Sequence, residues 1–167
     1  MAQSMLPLQH SSTFVNALMH IQNPIWGVCI GMLFTALIQS SSASIGILQI
    51  LASKQLISFH QAVYLILGFD LGTCITGFLA SLKGSRNGKR LALFHFLFNV
   101  VGAISFLVIS QIIPLIDWIA GWTPLSPLHQ IANMHTFYNM MTTFIVLLCE
   151  PYLIQTIQWI YPYHHKK

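Results

Sequence analysis

The stretch that decides the fold runs from residue 24 to residue 54 and reads PIWGVCIGMLFTALI, then QSSSAS, then IGILQILASK. Its first apolar run, Ile25 to Ile38, has 14 residues, whereas a helix needs about 20 to cross the hydrocarbon core of a bilayer. A second run, Ile45 to Ala52, is shorter still, and Gln39, Ser40, Ser41, Ser42 and Ser44 stand between the two. Asn23-Pro24 marks the helix start, because Asn caps an N-terminus and Pro is accepted in the first turn. Two half-length helices flanking a hydroxyl-rich break predict a re-entrant hairpin, tolerated only where protein or a water-filled cavity surrounds its tip. The alternative is one continuous helix carrying its serines on one face.

The rest of the chain has the same character. Of 167 residues only 7 are Lys or Arg and 3 are Asp or Glu, or 6% charged, against roughly 25% in an ordinary soluble domain. Apolar residues make up 55%, the mean hydropathy is +0.69, and the first charged side chain is Lys54. Water cannot solvate such a surface. A soluble enzyme, a nucleic-acid binder and a disordered tail are excluded, which leaves an all-α integral membrane protein embedded in the lipid bilayer. Cys29, Cys74 and Cys149 lie far apart in apolar sequence without a Cys-x-x-Cys pair, so neither a disulfide framework nor a zinc site is indicated. The N-terminal residues show neither the basic cluster nor the cleavage site of a secretory signal.

Phe59 to Leu82 is long enough to span but holds Gly68-Phe69-Asp70-Leu71-Gly72-Thr73 near its middle. Two glycines bracketing an acid predict a broken helix, with Asp70 or Thr73 capping the second half. A charged group at the bilayer centre costs roughly 2.5 kcal/mol or more, which makes Asp70 a candidate functional residue. The competing reading is a neutral Asp70 bonded to nearby backbone. Lys83, Arg86, Lys89 and Arg90 then form a basic loop over residues 83–90, cytoplasmic by the positive-inside rule. Leu91 to Ile113 is a full span, stopped by Pro114, and Asp117 to Pro127 is an outer connection. Ile131 to Cys149 returns and ends at Glu150-Pro151. Tyr152 to Tyr163, with Trp159 and Tyr161, reads as an interfacial helix before the basic C-terminus. Both basic clusters fall on one side. The expected organisation is a surface segment over 1–22, a membrane-embedded unit over 23–155 and an interfacial tail over 156–167, placed as a multi-pass protein of the cell (inner) membrane.

The hairpin tip supplies hydroxyls and an amide without charge, while the second half-helix offers its N-terminal N–H groups to the same place. That combination suits an oxyanion together with a hard cation, the recurring chemistry of secondary transporters. No Lys or Arg lies in an apolar segment, so a bound anion must be offset by helix ends and co-bound cations. Two further pairs, His95 with Asn99 and His135 with Asn139, recur as His-x-x-x-Asn, each on one helix face. Hydrogen bonding between helices explains them better than ligand contact.

These residues together resemble a family. TALIQSSSA (35–43), the Gly68-to-Thr73 element, Lys89-Arg90-Leu91-Ala92 running into HFLFN (95–99), and Ile131-Ala132 with HTFYN (135–139) are similar to the sodium-dependent phosphate cotransporters, bacterial branch of the type II transporters. The likeness covers about residues 23 to 155. In that family the Gln-Ser-Ser-Ser signature occurs twice, once in each inverted repeat, and this chain carries it once, resembling the second repeat only. The resemblance implies one inverted-repeat half with a re-entrant helical hairpin, a broken transmembrane helix and two full spans. It implies phosphate bound by Gln39, Ser40, Ser41 and Ser42, and cations bound by Thr35, Ser42, Asp70 and Thr73. Sodium is the coupling ion, no cofactor and no other metal is expected, and a second repeat in cis or trans completes the transporter. The family usually has Asn where this chain has Asp70, and a carboxylate there could strengthen cation binding, admit a proton or repel phosphate.

Two other functions compete with sodium-coupled phosphate transport. A regulatory or remnant membrane subunit would keep the fold with half the site. An intramembrane serine hydrolase would use Ser40 to Ser42, a histidine and Asp70, but no Gly-x-Ser-x-Gly turn presents a nucleophile.

Overall fold

The computed structural model describes residues 21–162, which are all helical apart from short connections. The expected surface segment over 1–22 lies almost wholly outside the described residues, as do the last residues of the expected tail. Six helices follow one another: α1 (Pro24–Ile38), α2 (Ser41–Ser53), α3 (Phe59–Leu82), α4 (Arg86–Ile112), α5 (Leu115–Ala120) and α6 (Pro127–Ile160). Three of them, α3, α4 and α6, are long and apolar enough to cross a membrane, with 24, 27 and 34 residues.

The two short helices form as the sequence reading requires. Asn23 accepts the Ile25 N–H at 2.9 Å and Pro24 takes the first turn of α1. At its end Gln39 turns left-handed, φ 59°, and Ser40 caps α2 by accepting the Ala43 N–H at 3.2 Å. Only those two residues separate the helices. The chain folds back on itself, because Ile21 before α1 and Leu51 and Ile57 after the turn line one apolar cavity with Phe34, Ser44 and Phe69.

The Gly68-to-Thr73 element does not break. Residues 59–82 form one α-helix, and Thr73 donates back to the Asp70 carbonyl at 2.7 Å instead of capping a new start. The glycines serve a different purpose. A Cβ on Gly68 would collide with the Val28 carbonyl, and one on Gly72 would lie 2.5 Å from the Met32 carbonyl. From the other side, a Cβ on Gly27 would lie 2.5 Å from Tyr64 Cβ, and one on Gly31 would strike the Leu65 carbonyl. Four small residues at four-residue spacing thus bring α1 and α3 into backbone contact, the arrangement that supports helix association where lipid removes the hydrophobic drive. The same economy recurs where Gly102 of α4 receives Thr142 of α6.

Two boundaries also differ from expectation. Ser85 caps α4 through the Gly88 N–H, so the helix starts at Arg86 and the basic loop shrinks to Lys83–Ser85, with Arg86, Lys89 and Arg90 on the first turns. Helix α6 continues through Pro151 to Ile160 instead of ending at Glu150. Proline removes one N–H, yet Leu153 and Ile157 beyond it are buried one turn apart, and Arg86 and Arg90 hold the carbonyls of Pro162 and Tyr161 at 2.8 and 2.7 Å. These contacts hold the helix past the point where sequence alone stops it. They also put the end of α6 beside the start of α4. At the opposite end α5 packs its Trp118 against Trp122 and Phe137 in edge-on contacts, with centroids 4.8 and 6.0 Å apart.

Candidate functional site

Helix α3 is central, and polar groups gather on its two faces. On the α1 side lies the hairpin tip. Thr35 donates its hydroxyl to Ser44 Oγ at 3.0 Å, both side chains being fully buried, and Ser44 donates onward to the Ser40 carbonyl at 3.0 Å. The relay runs one way, so the lone pairs of Thr35 Oγ1 are left at its buried head. Ser41 and Ser42 occupy the first turn of α2, where helix geometry leaves their N–H groups without intrahelical partners. Ser40 and Ser41 are half-buried, and Gln39 and Ser42 are exposed. The hydrogen bonds therefore join Thr35 to Ser40 through Ser44, with Gln39 at the turn and Ser41 and Ser42 following on the first turn of α2. Its place in the same hydroxyl run was the signal for Ser44.

The second centre lies on the face of α3 turned to α4 and α6. Asp70 is 7% exposed, its Oδ2 accepts from Asn139 Nδ2 at 3.2 Å, and its Oδ1 stands 3.6 Å from His135 Nε2. One turn along, Cys74 Sγ accepts from Asn99 Nδ2 at 3.2 Å. Each asparagine also bonds its own histidine's carbonyl, Asn99 to His95 at 3.1 Å and Asn139 to His135 at 3.0 Å. This explains the repeated His-x-x-x-Asn spacing: the amide ties back one turn and reaches across to α3. The expectation of interhelical bonding holds for both asparagines. The His95 ring is exposed, whereas His135 has a partner that the sequence reading did not give it, the Asp70 carboxylate. Nearby on α6, the Tyr138 and Thr142 hydroxyls are buried without a hydrogen-bond partner among the described residues.

Asp70 and Thr73, grouped with Thr35 and Ser42 from sequence, thus sit differently. The Asp70 carboxylate is engaged by α6, and Thr73 is half-buried with its hydroxyl on the Asp70 carbonyl. Among the described residues no cluster of three or more His, Cys, Asp or Glu side chains forms a metal-type site.

This arrangement predicts how Asp70 tolerates change. Asp70→Asn keeps an oxygen for the Asn139 amide and should fold like the parent. Asp70→Leu strands that amide in a buried site, which costs about 1 to 3 kcal/mol. Thermal unfolding of the purified variants in detergent compares them, and equal destabilisation by Asn and Leu would contradict the assigned bond.

Three long apolar helices, with a run of uncharged oxygens at the start of a short one, are those of a membrane protein. A family model described as Na+/Pi-cotransporter matches residues 2–121, and the chain belongs to that family. It is 33% identical over 142 residues to the uncharacterized protein YqeW of Bacillus subtilis, covering 84% of this chain and 45% of YqeW. Human sodium-dependent phosphate transport protein 2B is 34% identical over 96 residues, which are 54% of this chain and 14% of that protein. Rat sodium-dependent phosphate transport protein 2A is 35% identical over 74 residues, or 43% and 12%. The chain spans less than half the length of each of these relatives. No solved structure matches it. Membership of a transporter family sets aside the serine hydrolase.

Proposed function

We propose that this chain is one repeat of a sodium-coupled inorganic phosphate transporter, acting with a second repeat supplied in cis or trans. The observation that carries the reading is the two-residue break at Gln39 and Ser40, which aims the start of α2 at a cluster of hydroxyls in a chain with no charged residue before Lys54. Phosphate lies on the N–H groups and hydroxyls of Ser40, Ser41 and Ser42 with the Gln39 amide, as anions do at helix N-termini. Sodium binds beside it through Thr35 and Ser42. Asp70, with Thr73, adds a second cation position from the face held by His135 and Asn139. Because no basic side chain stands at the tip, cation and anion bind more tightly together than apart, and this is the physical origin of coupling.

Equilibrium binding of radiolabelled phosphate to the purified full chain, in sodium and in choline buffers, tests the proposal. Binding in sodium alone is expected; equal binding in both buffers contradicts coupling. A regulatory subunit that lacks the site would bind phosphate in neither.

The hairpin of α1 and α2 is proposed to be re-entrant, with the Lys83–Ser85 connection and the C-terminus on the cytoplasmic face of the inner membrane. Single cysteines at positions 23 and 54, in a background without the native ones, should react with an impermeant reagent from the same, outer side. Labelling from opposite sides would replace the hairpin with a full crossing.

A further inference from the structure

A cavity of about 420 Å³ opens at the end of the bundle where α3 finishes, α4 begins and α6 ends. That volume lies within the roughly 300–1,000 Å³ range of small-molecule sites. Its walls are apolar, built from Leu71, Ile75 and Phe78 of α3 and Leu93 and Phe96 of α4, and Lys89 stands on its lining. Ser81 also lines it, but its hydroxyl is already given to the Phe78 carbonyl at 2.7 Å. The hairpin tip and Asp70 are not part of this lining, which meets the second polar centre only at Cys74. The site is therefore separate from the one proposed to hold phosphate.

The charge at this end is one-sided. Lys83, Arg86, Lys89 and Arg90 fall within eight residues, and the three acidic residues of the chain, Asp70, Asp117 and Glu150, all lie elsewhere in sequence. Asp70 faces His135 and Asp117 faces His60. The two arginines are committed to the carbonyls of Tyr161 and Pro162, which fixes the wall formed by the end of α6. The half-buried Lys89 ammonium has no hydrogen-bond or ion-pair partner among the described residues.

An apolar slot at the end of membrane-spanning helices, with an uncompensated cation on its lining, is complementary to a molecule with an apolar tail and an anionic head. We propose that the cavity is a binding site for an anionic phospholipid, with one acyl chain between α3 and α4 and the headgroup phosphate on Lys89. Basic pockets between spanning helices near a membrane face recognise such headgroups. The bilayer supplies this ligand at high local concentration, whereas free phosphate has no use for the apolar walls.

The test uses the purified full chain in detergent and a phosphatidylglycerol carrying a photoreactive group on its acyl chain, with mass-spectrometric mapping of the adducts. Adducts on the segments 71–78 and 89–96 are expected. Adducts confined to the outer lipid-facing surface of α6, such as Phe144, Leu147 and Leu148, would overturn the site. Phosphatidylcholine with the same photoreactive chain should label the cavity about fivefold less, and Lys89→Gln should reduce phosphatidylglycerol labelling to that level, the ratio given by about 1 kcal/mol per basic residue near a membrane surface. Equal labelling by the two lipids in the parent chain, or displacement of phosphatidylglycerol by millimolar inorganic phosphate, would refute it. Lys89 is half-buried at the cavity and is not part of the hydrophobic core, so its replacement by Gln leaves the core intact. Leu93→Trp, which fills the slot, should suppress labelling by both lipids; unchanged labelling in a well-folded Leu93→Trp protein would equally contradict the proposal.

Discussion

Gly68→Leu is expected to destroy the folded protein. The new side chain would start with its Cβ against the Val28 carbonyl and 2.7 Å from the Met32 N, both rigid backbone atoms of α1, so no rotamer change relieves the contact. Overpacking a core costs about 1 to 3 kcal/mol when side chains can yield, and more when they cannot. Against a total stability of about 5 to 15 kcal/mol, separating α1 from α3 is decisive. Gly46→Ala in α2 is the control, since a Cβ there meets nothing within 4 Å, and it should stabilise the helix by up to about 1 kcal/mol. Expression and gel-filtration homogeneity in mild detergent provide the readout. A monodisperse Gly68→Leu protein of normal thermal stability would mean that α1 and α3 are not in backbone contact.

That expectation depends on a feature that sequence reading placed correctly but explained wrongly. By local sequence alone, Gly68 and Gly72 flanking an acid mark a place where a helix breaks. A glycine records only that a Cβ is unwelcome, and whether the reason is a break or a neighbouring backbone depends on Gly27 and Gly31, some forty residues earlier. Nothing local to residues 68–73 distinguishes the two. Pro151 is a similar case, because its local effect is to end a helix, and what holds α6 together beyond it are the buried Leu153 and Ile157 and two arginines of α4. The α1–α2 turn was legible for the opposite reason. Its cap, its proline and its serines act on backbone groups within a few residues, so the motif carries its own cause.

The polar groups divide along the same line. Helical spacing put each histidine and asparagine on one face, and bonding between helices followed from the cost of leaving an amide unpaired in lipid. The identity of the partner did not, because Asp70 and Asn139 are 69 residues apart and meet only through the packing of α3 on α6. For that reason His135, read as a packing residue, belongs with the Asp70 centre, while the Gln39-to-Ser42 run lies at the turn between α1 and α2.

The second large effect should fall on that tip. In the proposed site, Ser41 lies half-buried on the first turn of α2, and its hydroxyl is one of the few donors within reach of an anion there. A hydrogen bond to a charged group contributes about 1.5 to 3 kcal/mol, so Ser41→Ala should weaken sodium-dependent phosphate binding roughly ten- to a hundredfold. Its stability should hardly change, because alanine suits the first turn of a helix and the cap belongs to Ser40. Thr35→Val acts differently: it removes the head of the relay through Ser44, so its main effect should be a higher sodium requirement at a given phosphate concentration. His135→Ala removes the group facing Asp70 Oδ1 and should lower thermal stability, with phosphate affinity altered less than by Ser41→Ala. The decisive comparison is phosphate binding in sodium by equally folded Ser41→Ala and His135→Ala proteins. If Ser41→Ala bound normally while His135→Ala lost binding, the anion would belong on the Asp70 face of α3, and the start of α2 would only be a well-capped helix.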